Sequence, residues 1–159
     1  MSLCIEFTKC IDDWKAKMKT LNVYLNSIEN INEQMSEIQS AQSDPLFQVV
    51  PKQVILGKQS SEKNRLQGFI KEELRKFFPI FQRFVSIHRK LCRMSCIDWN
   101  VCGISSQRLL IFMDSFVAQL SLNMQLLLIQ PCDLRKALEL PLADYEEIHY
   151  LMNIYSKTK

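Results

Sequence analysis

The sequence predicts an all-α protein, an antiparallel helical bundle with a long coiled-coil-like N-terminal helix. Three observations lead there. Phe7, Trp14, Leu21, Ile28 and Met35 recur at every seventh position, and Cys4, Ile11, Met18 and Leu25 repeat at the same period in between. These are the a and d positions of a heptad seam. Apolar residues keep three- and four-residue spacing over most of the remaining chain, and only three Gly and five Pro interrupt 159 residues.

The first helix is expected over about residues 3–42. Its seam drifts at the C-terminal end, where Asn32 and Gln39 stand at a positions and Ile31 and Ile38 take over; an ideal helix drifts in this way against a strict heptad. Ser43-Asp44-Pro45 stops it. Residues 43–60 read as a connector broken by Pro45, Pro51 and Gly57 and pinned by Leu46, Phe47, Val49, Val50, Val54, Ile55 and Leu56.

A second helix is expected over 61–94, with Ser60 or Ser61 as its N-cap. Leu66, Ile70, Leu74, Phe77, Phe81, Phe84, His88 and Leu91 form its apolar face. Pro79 removes a backbone donor inside this run, so a kink or a split at Phe78 is expected.

Residues 95–105 read as a loop ending in Ser105-Ser106. The third helix, 106–129, carries Leu109, Phe112, Phe116, Leu120, Met124 and Leu127 on one stripe. Leu110, Ile111, Val117, Leu126 and Leu128 make it apolar nearly all round, which predicts the central helix of the bundle. Pro131 ends it. Asp133 caps a short helix over Leu134 to Leu140, and Pro141 opens a last one with Leu142, Tyr145, Ile148, Leu151 and Tyr155 inside. Short C-terminal helices thus fill 133–155 of a single domain, 1–159.

Leu109 to Ile129 is also the strongest membrane candidate. Asp114 lies near its middle, and a charge at the bilayer centre costs roughly 2.5–3.5 kcal/mol on insertion scales, so a buried helix is the expectation. Met1 to Cys10 lack a basic start and a continuous apolar stretch, unlike a secretory signal. Six Cys without such a signal point to reduced thiols in the cytoplasm or nucleus.

The net charge of +3 hides segregation. Residues 1–51 carry 4 basic and 7 acidic side chains, residues 52–94 carry 11 and 3, and residues 95–159 carry 5 and 7. Lys71, Arg75, Arg83, Lys90 and Arg93 in the basic middle are candidate phosphate contacts with salt-sensitive affinity. No exposed aromatics interleave with them for base stacking, and the competing reading is a solvated face or a face for an acidic protein.

No catalytic kit is legible. His88 and His149 read as packed or half-exposed helical residues, and three scattered glycines supply no phosphate loop. His88, Cys92 and Cys96 share a helix face, and Cys102 could return to them from the loop. One straight helix spaces such ligands about 6 Å apart along its axis, which suits two and strains three. Buried thiols behaving as small apolar groups are therefore expected, with no metal and no cofactor.

The stretch from Trp14 to Met35 resembles the first long helix of the AIRIM family of small helical ribosome maturation factors. That family carries a Trp, an apolar residue four later, then a segment of the type S-apolar-x-N-apolar-x-E-Q-apolar. Trp14, Met18, Leu25, Ser27, Ile28, Asn30, Ile31, Glu33, Gln34 and Met35 fit it without a gap. A second echo is Asp133-Leu134, then Leu140-Pro141, then Tyr145 and Ile148. The connector and the loop at 95–105 differ from the family.

The resemblance implies a non-enzymatic adaptor of a type II AAA+ ATPase complex acting on large ribosomal subunit precursors. A second small helical protein sits there, the cyclin-dependent-kinase-2-interacting protein, and this chain is also similar to it in its early Trp helix. The expected partner surface comprises Phe7, Ile11, Trp14, Met18, Leu21, Leu25, Ile28, Glu33 and Gln34. A coiled-coil subunit of a cytoskeletal or kinetochore-type assembly and an RNA-contacting helical protein are the rival readings.

Overall fold

A computed structural model describes residues 3–41, 50–93, 106–125, 131–142, 146 and 149. Among them helices are the only regular secondary structure: α1 (Leu3–Ser40), α2 (Lys52–Arg93), α3 (Ser106–Gln125) and α4 (Pro131–Ala137). The protein is all-α, and its long N-terminal helix packs against a second helix of similar length.

The α1–α2 pairing follows from two matched heptads. On α1 the buried line is Phe7, Ile11, Trp14, Leu21, Leu25 and Ile28. On α2 it is Leu66, Ile70, Glu73, Phe77, Ile80, Phe84 and Ile87, spaced alternately by four and three. Two such lines turned toward each other close a coiled-coil seam. Cross-helix contacts give the direction. Gln59 Nε2 donates to Gln34 Oε1 (2.9 Å), and Tyr24 stacks on Phe69 with ring centroids 5.5 Å apart. Moving ten residues back along α1 moves ten forward along α2, so the helices are antiparallel. The Lys52 ammonium donates to the Ala41 carbonyl and ties the start of α2 to the end of α1.

The chain divides into two compact units, Met1–Ala16 with Phe78–Lys159, and Lys17–Phe77. Both long helices contribute to each. In the first unit an aromatic cluster forms the centre. Phe7 meets Phe84, Phe112 and Phe116 edge-on at 5.2–6.2 Å between centroids. Met113, Val117 and Leu120 from α3, and Leu134, Ala137, Leu138 and Leu140 around α4, complete this core. In the second unit Leu21, Leu25, Ile28 and Ile31 are buried together with Leu66, Ile70 and Phe77.

Several sequence expectations need correction. The connector expected over 43–60 gives way to helix from Lys52, because the Pro51 carbonyl accepts from the amides of Val54 (3.0 Å) and Ile55 (3.4 Å). Helix α2 then runs unbroken past Pro79 to Arg93. Pro79 and Arg75, whose carbonyl loses its donor to the proline, are both exposed on the outer side of the helix. Helix α3 is not apolar-covered all round: Ile111 is 60% exposed and Leu122 51%. Pro131 starts α4, since its absent amide is not needed in a first turn, and where α3 ends beyond Gln125 lies outside the described residues. Asp133 therefore lies inside the first turn of α4. The expected remainder of α3 (126–129), the loop 95–105 and most of the last expected helix lie outside the described residues.

Candidate functional site

Side chains with chemical potential fall into four places. The first is the α1 seam, expected as the partner surface. Trp14 is 1% exposed, and its indole nitrogen donates to the Leu138 carbonyl at 2.8 Å. Its ring meets Phe84 at 6.1 Å. Phe7, Ile11, Leu21, Leu25 and Ile28 are likewise buried by this chain's own helices, and Met18 is half-buried. Only Glu33 and Gln34 of that set are exposed, and Gln34 is engaged with Gln59. At 42 residues α2 is long enough to lie along the whole of α1.

The second place is the basic tract. Lys71, Arg75, Arg83, Lys90 and Arg93 are all exposed. Three face carboxylates: Arg75 meets Glu72 at 2.9 Å, Arg83 meets Asp13 at 2.5 Å, and Lys90 meets Glu6 at 3.7 Å. The Asp13 hydrogen bond pushes the Arg83 guanidinium further toward its charged form, against partial burial. These pairs were missed in the sequence because the partners are remote in the chain for Arg83 and Lys90. The heptad offset was the available signal: Asp13 and Glu6 are seven apart, as are Arg83 and Lys90. What remains is a moderated cationic face, with Lys71 and Arg93 making no ion pair among the described residues.

The third place is around His88. Its Nε2 lies 3.1 Å from Asp114 Oδ1 and 3.6 Å from Cys92 Sγ. A nucleophile relay needs one imidazole nitrogen for the thiol and the other for the carboxylate. Here both partners converge on one nitrogen. When Nε2 donates to Asp114 it has no lone pair left to accept the Cys92 proton. No group of three or more His, Cys, Asp or Glu among the described residues is arranged to hold a metal ion, and Cys96 and Cys102 lie outside them. Cys10 is buried, and burial raises its thiol above the ordinary range, with the nearby Arg83 opposing.

The fourth place is a shallow hollow of about 270 Å³ lined by Asp12, Lys15, Leu142, Glu146 and His149. Its walls carry charge of both signs, unlike a small-molecule pocket, which is mostly apolar. No helix among the described residues is long and apolar enough to cross a membrane.

One residue escaped the sequence reading. Glu73 occupies a seam position on α2 and is 7% exposed. Its Oε1 accepts from the Lys76 ammonium at 2.6 Å, while its buried Oε2 has no hydrogen-bond partner. The regular spacing of Leu66, Ile70, Phe77 and Ile80 around it was the signal. Compared with protein families, curated proteins and solved structures, the chain matches none.

Proposed function

We propose that this chain is a non-enzymatic adaptor, a helical accessory subunit of an AAA+ ATPase complex that matures large ribosomal subunits, working in the cytoplasm or nucleus beside a second small helical protein. The observation that carries the reading is the run Trp14 to Met35, whose residues fit the AIRIM-type helix. The architecture agrees with a binding role. Two long helices zipped by heptads present extended outer faces, and His88, Cys92 and Asp114 lack the two-nitrogen geometry of a catalytic relay.

The matched α1–α2 heptads favour a second reading, a coiled-coil subunit of a cytoskeletal or kinetochore-type assembly. An RNA-contacting role draws less support, because Arg75, Arg83 and Lys90 already face carboxylates. Affinity capture of the full chain followed by mass spectrometry separates them. Recovery of AAA+ subunits and ribosome precursors is the expected result. Recovery of tubulin-associated or centromere proteins instead would replace it with the second reading.

A further inference from the structure

In the first unit, α2 from Phe78 to Arg93 is flanked by described helices on two sides. Arg83 and Lys90 reach Asp13 and Glu6 of α1. They stand about 140° and 120° around the helix from Phe78, at 100° per residue. His88, about 80° round in the opposite sense, holds Asp114 of α3 at 3.1 Å. The arc between these flanks carries Phe78, Phe81, Gln82, Val85, Arg89 and Arg93, all within about 60° of Phe78. Phe78 is 54% exposed, and its ring centroid lies 6.5 Å from that of Phe81. Phe81 and Val85 are half-buried, and Gln82, Arg89 and Arg93 are exposed. Phe78, Phe81 and Val85 follow one another at three- and four-residue spacing, the spacing of a helix seam.

The charge on this arc has one sign. Arg89 and Arg93 make no ion pair among the described residues, and no Asp or Glu occurs over residues 74–97. The carboxylates that α1 and α3 bring to this stretch are engaged off the arc: Glu6 by Lys90, Asp13 by Arg83 and Asp114 by His88. The line therefore begins apolar at Phe78 and ends cationic at Arg93, roughly 22 Å or four turns further on. A second copy presenting the same face adds guanidinium groups and no carboxylate. The Phe78 and Phe81 rings are tilted by 41° to each other, so they offer no pair of parallel platforms for the successive bases of a single strand. A helix with an apolar stripe at one end and carboxylates at the other supplies both complements.

We infer that the outer face of α2 from Phe78 to Arg93 docks an acidic amphipathic helix of a partner protein. The inference rests on the adaptor reading and names the surface through which it acts. Such a helix lays apolar residues at i, i+3, i+4 and i+7 on Phe78, Phe81 and Val85. Its carboxylates reach Arg89 and Arg93 in the following turns and make charge-assisted hydrogen bonds with their guanidinium groups.

The test uses the full chain and a fluorescent helical peptide of about eighteen residues, with a leucine stripe in one half and glutamates in the other. Binding is read by anisotropy. The variants are Phe78→Ser and the double charge reversal Arg89→Glu with Arg93→Glu, each with a melting curve. All three positions are exposed, so the charge reversal tests docking even where Phe78→Ser shifts the melt. Expected are binding by the wild type, weakening by added salt, and loss of at least about tenfold in either variant. The charge-reversed variant should in turn take up a leucine–lysine peptide that the wild type leaves unbound. No binding by the wild type, or equal binding by the charge-reversed variant, overturns the inference. So does displacement of the peptide by single-stranded RNA or by anionic phospholipid vesicles, or a wild-type dimer that Phe78→Ser converts to monomer, since the face then belongs to another occupant. Affinity capture with both forms keeps the two readings apart. If the wild type and the charge-reversed variant recover the same AAA+ complex, the docking surface is wrong and the adaptor reading stands; if the wild type binds the peptide but recovers no such complex, the adaptor reading fails.

Discussion

Trp14 joins α1 to the segment after α4 by one hydrogen bond, and that bond makes it more than a large apolar filler. Replacing it with Phe keeps most of the ring volume but leaves the Leu138 carbonyl without its 2.8 Å donor in a buried place. An orphaned buried acceptor costs about 1–3 kcal/mol. Trp14→Phe should lower denaturant stability by that amount, and Trp14→Ala by about 3–5 kcal/mol, the cost of truncating a buried Trp. Urea titrations followed by circular dichroism check both. The two described thiols differ as sharply. Cys92 is exposed and Cys10 buried, so a thiol reagent should modify Cys92 in the native protein and reach Cys10 only on unfolding. Burial holds the Cys10 proton in the folded state. Its contribution to stability is fully present below the thiol's ordinary pKa of 9.0 and is lost as pH rises through the raised folded value. Stability should therefore fall with alkaline pH above that point, less steeply in Cys10→Ala, as read by denaturation midpoints in a pH series.

At the scale of the element, the heptad on α1 was readable because each beat is a large apolar residue. The matching heptad on α2 was readable only from Leu66 onward. Upstream, Gly57, Ser60 and Ser61 carry the local chemistry of a loop, yet they sit in helix because the Gln59–Gln34 and Lys52–Ala41 bonds hold that stretch against α1. Tertiary pairing overrides propensity there. A Cβ added at Gly57 or Gly68 meets nothing within 4 Å. Gly57→Ala and Gly68→Ala should each add about 0.5–1 kcal/mol, since Gly in a helix interior loses more backbone entropy than Ala; thermal melts of the single and double variants test this. Glu73 works in the opposite direction. Its Oε2 is buried without a partner, and such a group carries a desolvation penalty of about 1–3 kcal/mol. Glu73→Leu continues the apolar line from Ile70 to Phe77 and should raise stability by an amount of that order. A lowered urea midpoint would show that the Lys76 contact outweighs the penalty. The overstated role of α3 has a plain cause: its composition is apolar nearly all round, but composition does not say which side receives a neighbour, and Ile111 and Leu122 stay exposed among the described residues.

For the whole molecule, the decisive contrast is how much each unit buries. Among the described residues, sixteen buried apolar side chains belong to the first unit and seven to the second. The first has a cluster of Phe7, Trp14, Phe84, Phe112 and Phe116 drawn from three helices. The second depends on a single seam between α1 and α2, interrupted by Glu73. Local opening costs less where fewer apolar contacts must break. A two-helix seam of this kind is marginal without further packing, whereas the aromatic cluster resists partial opening because each ring fills space left by the others. Although α1 and α2 are continuous, their two halves should therefore differ in protection. Amides of residues 17–40 and 52–77 should exchange with solvent hydrogen at lower opening free energy than those of 7–16 and 80–90. Native-state hydrogen exchange resolved by mass spectrometry measures this directly. Uniform protection along both helices would mean that the α1–α2 seam opens as one piece with the aromatic core, and that the second unit has no independent stability to lose.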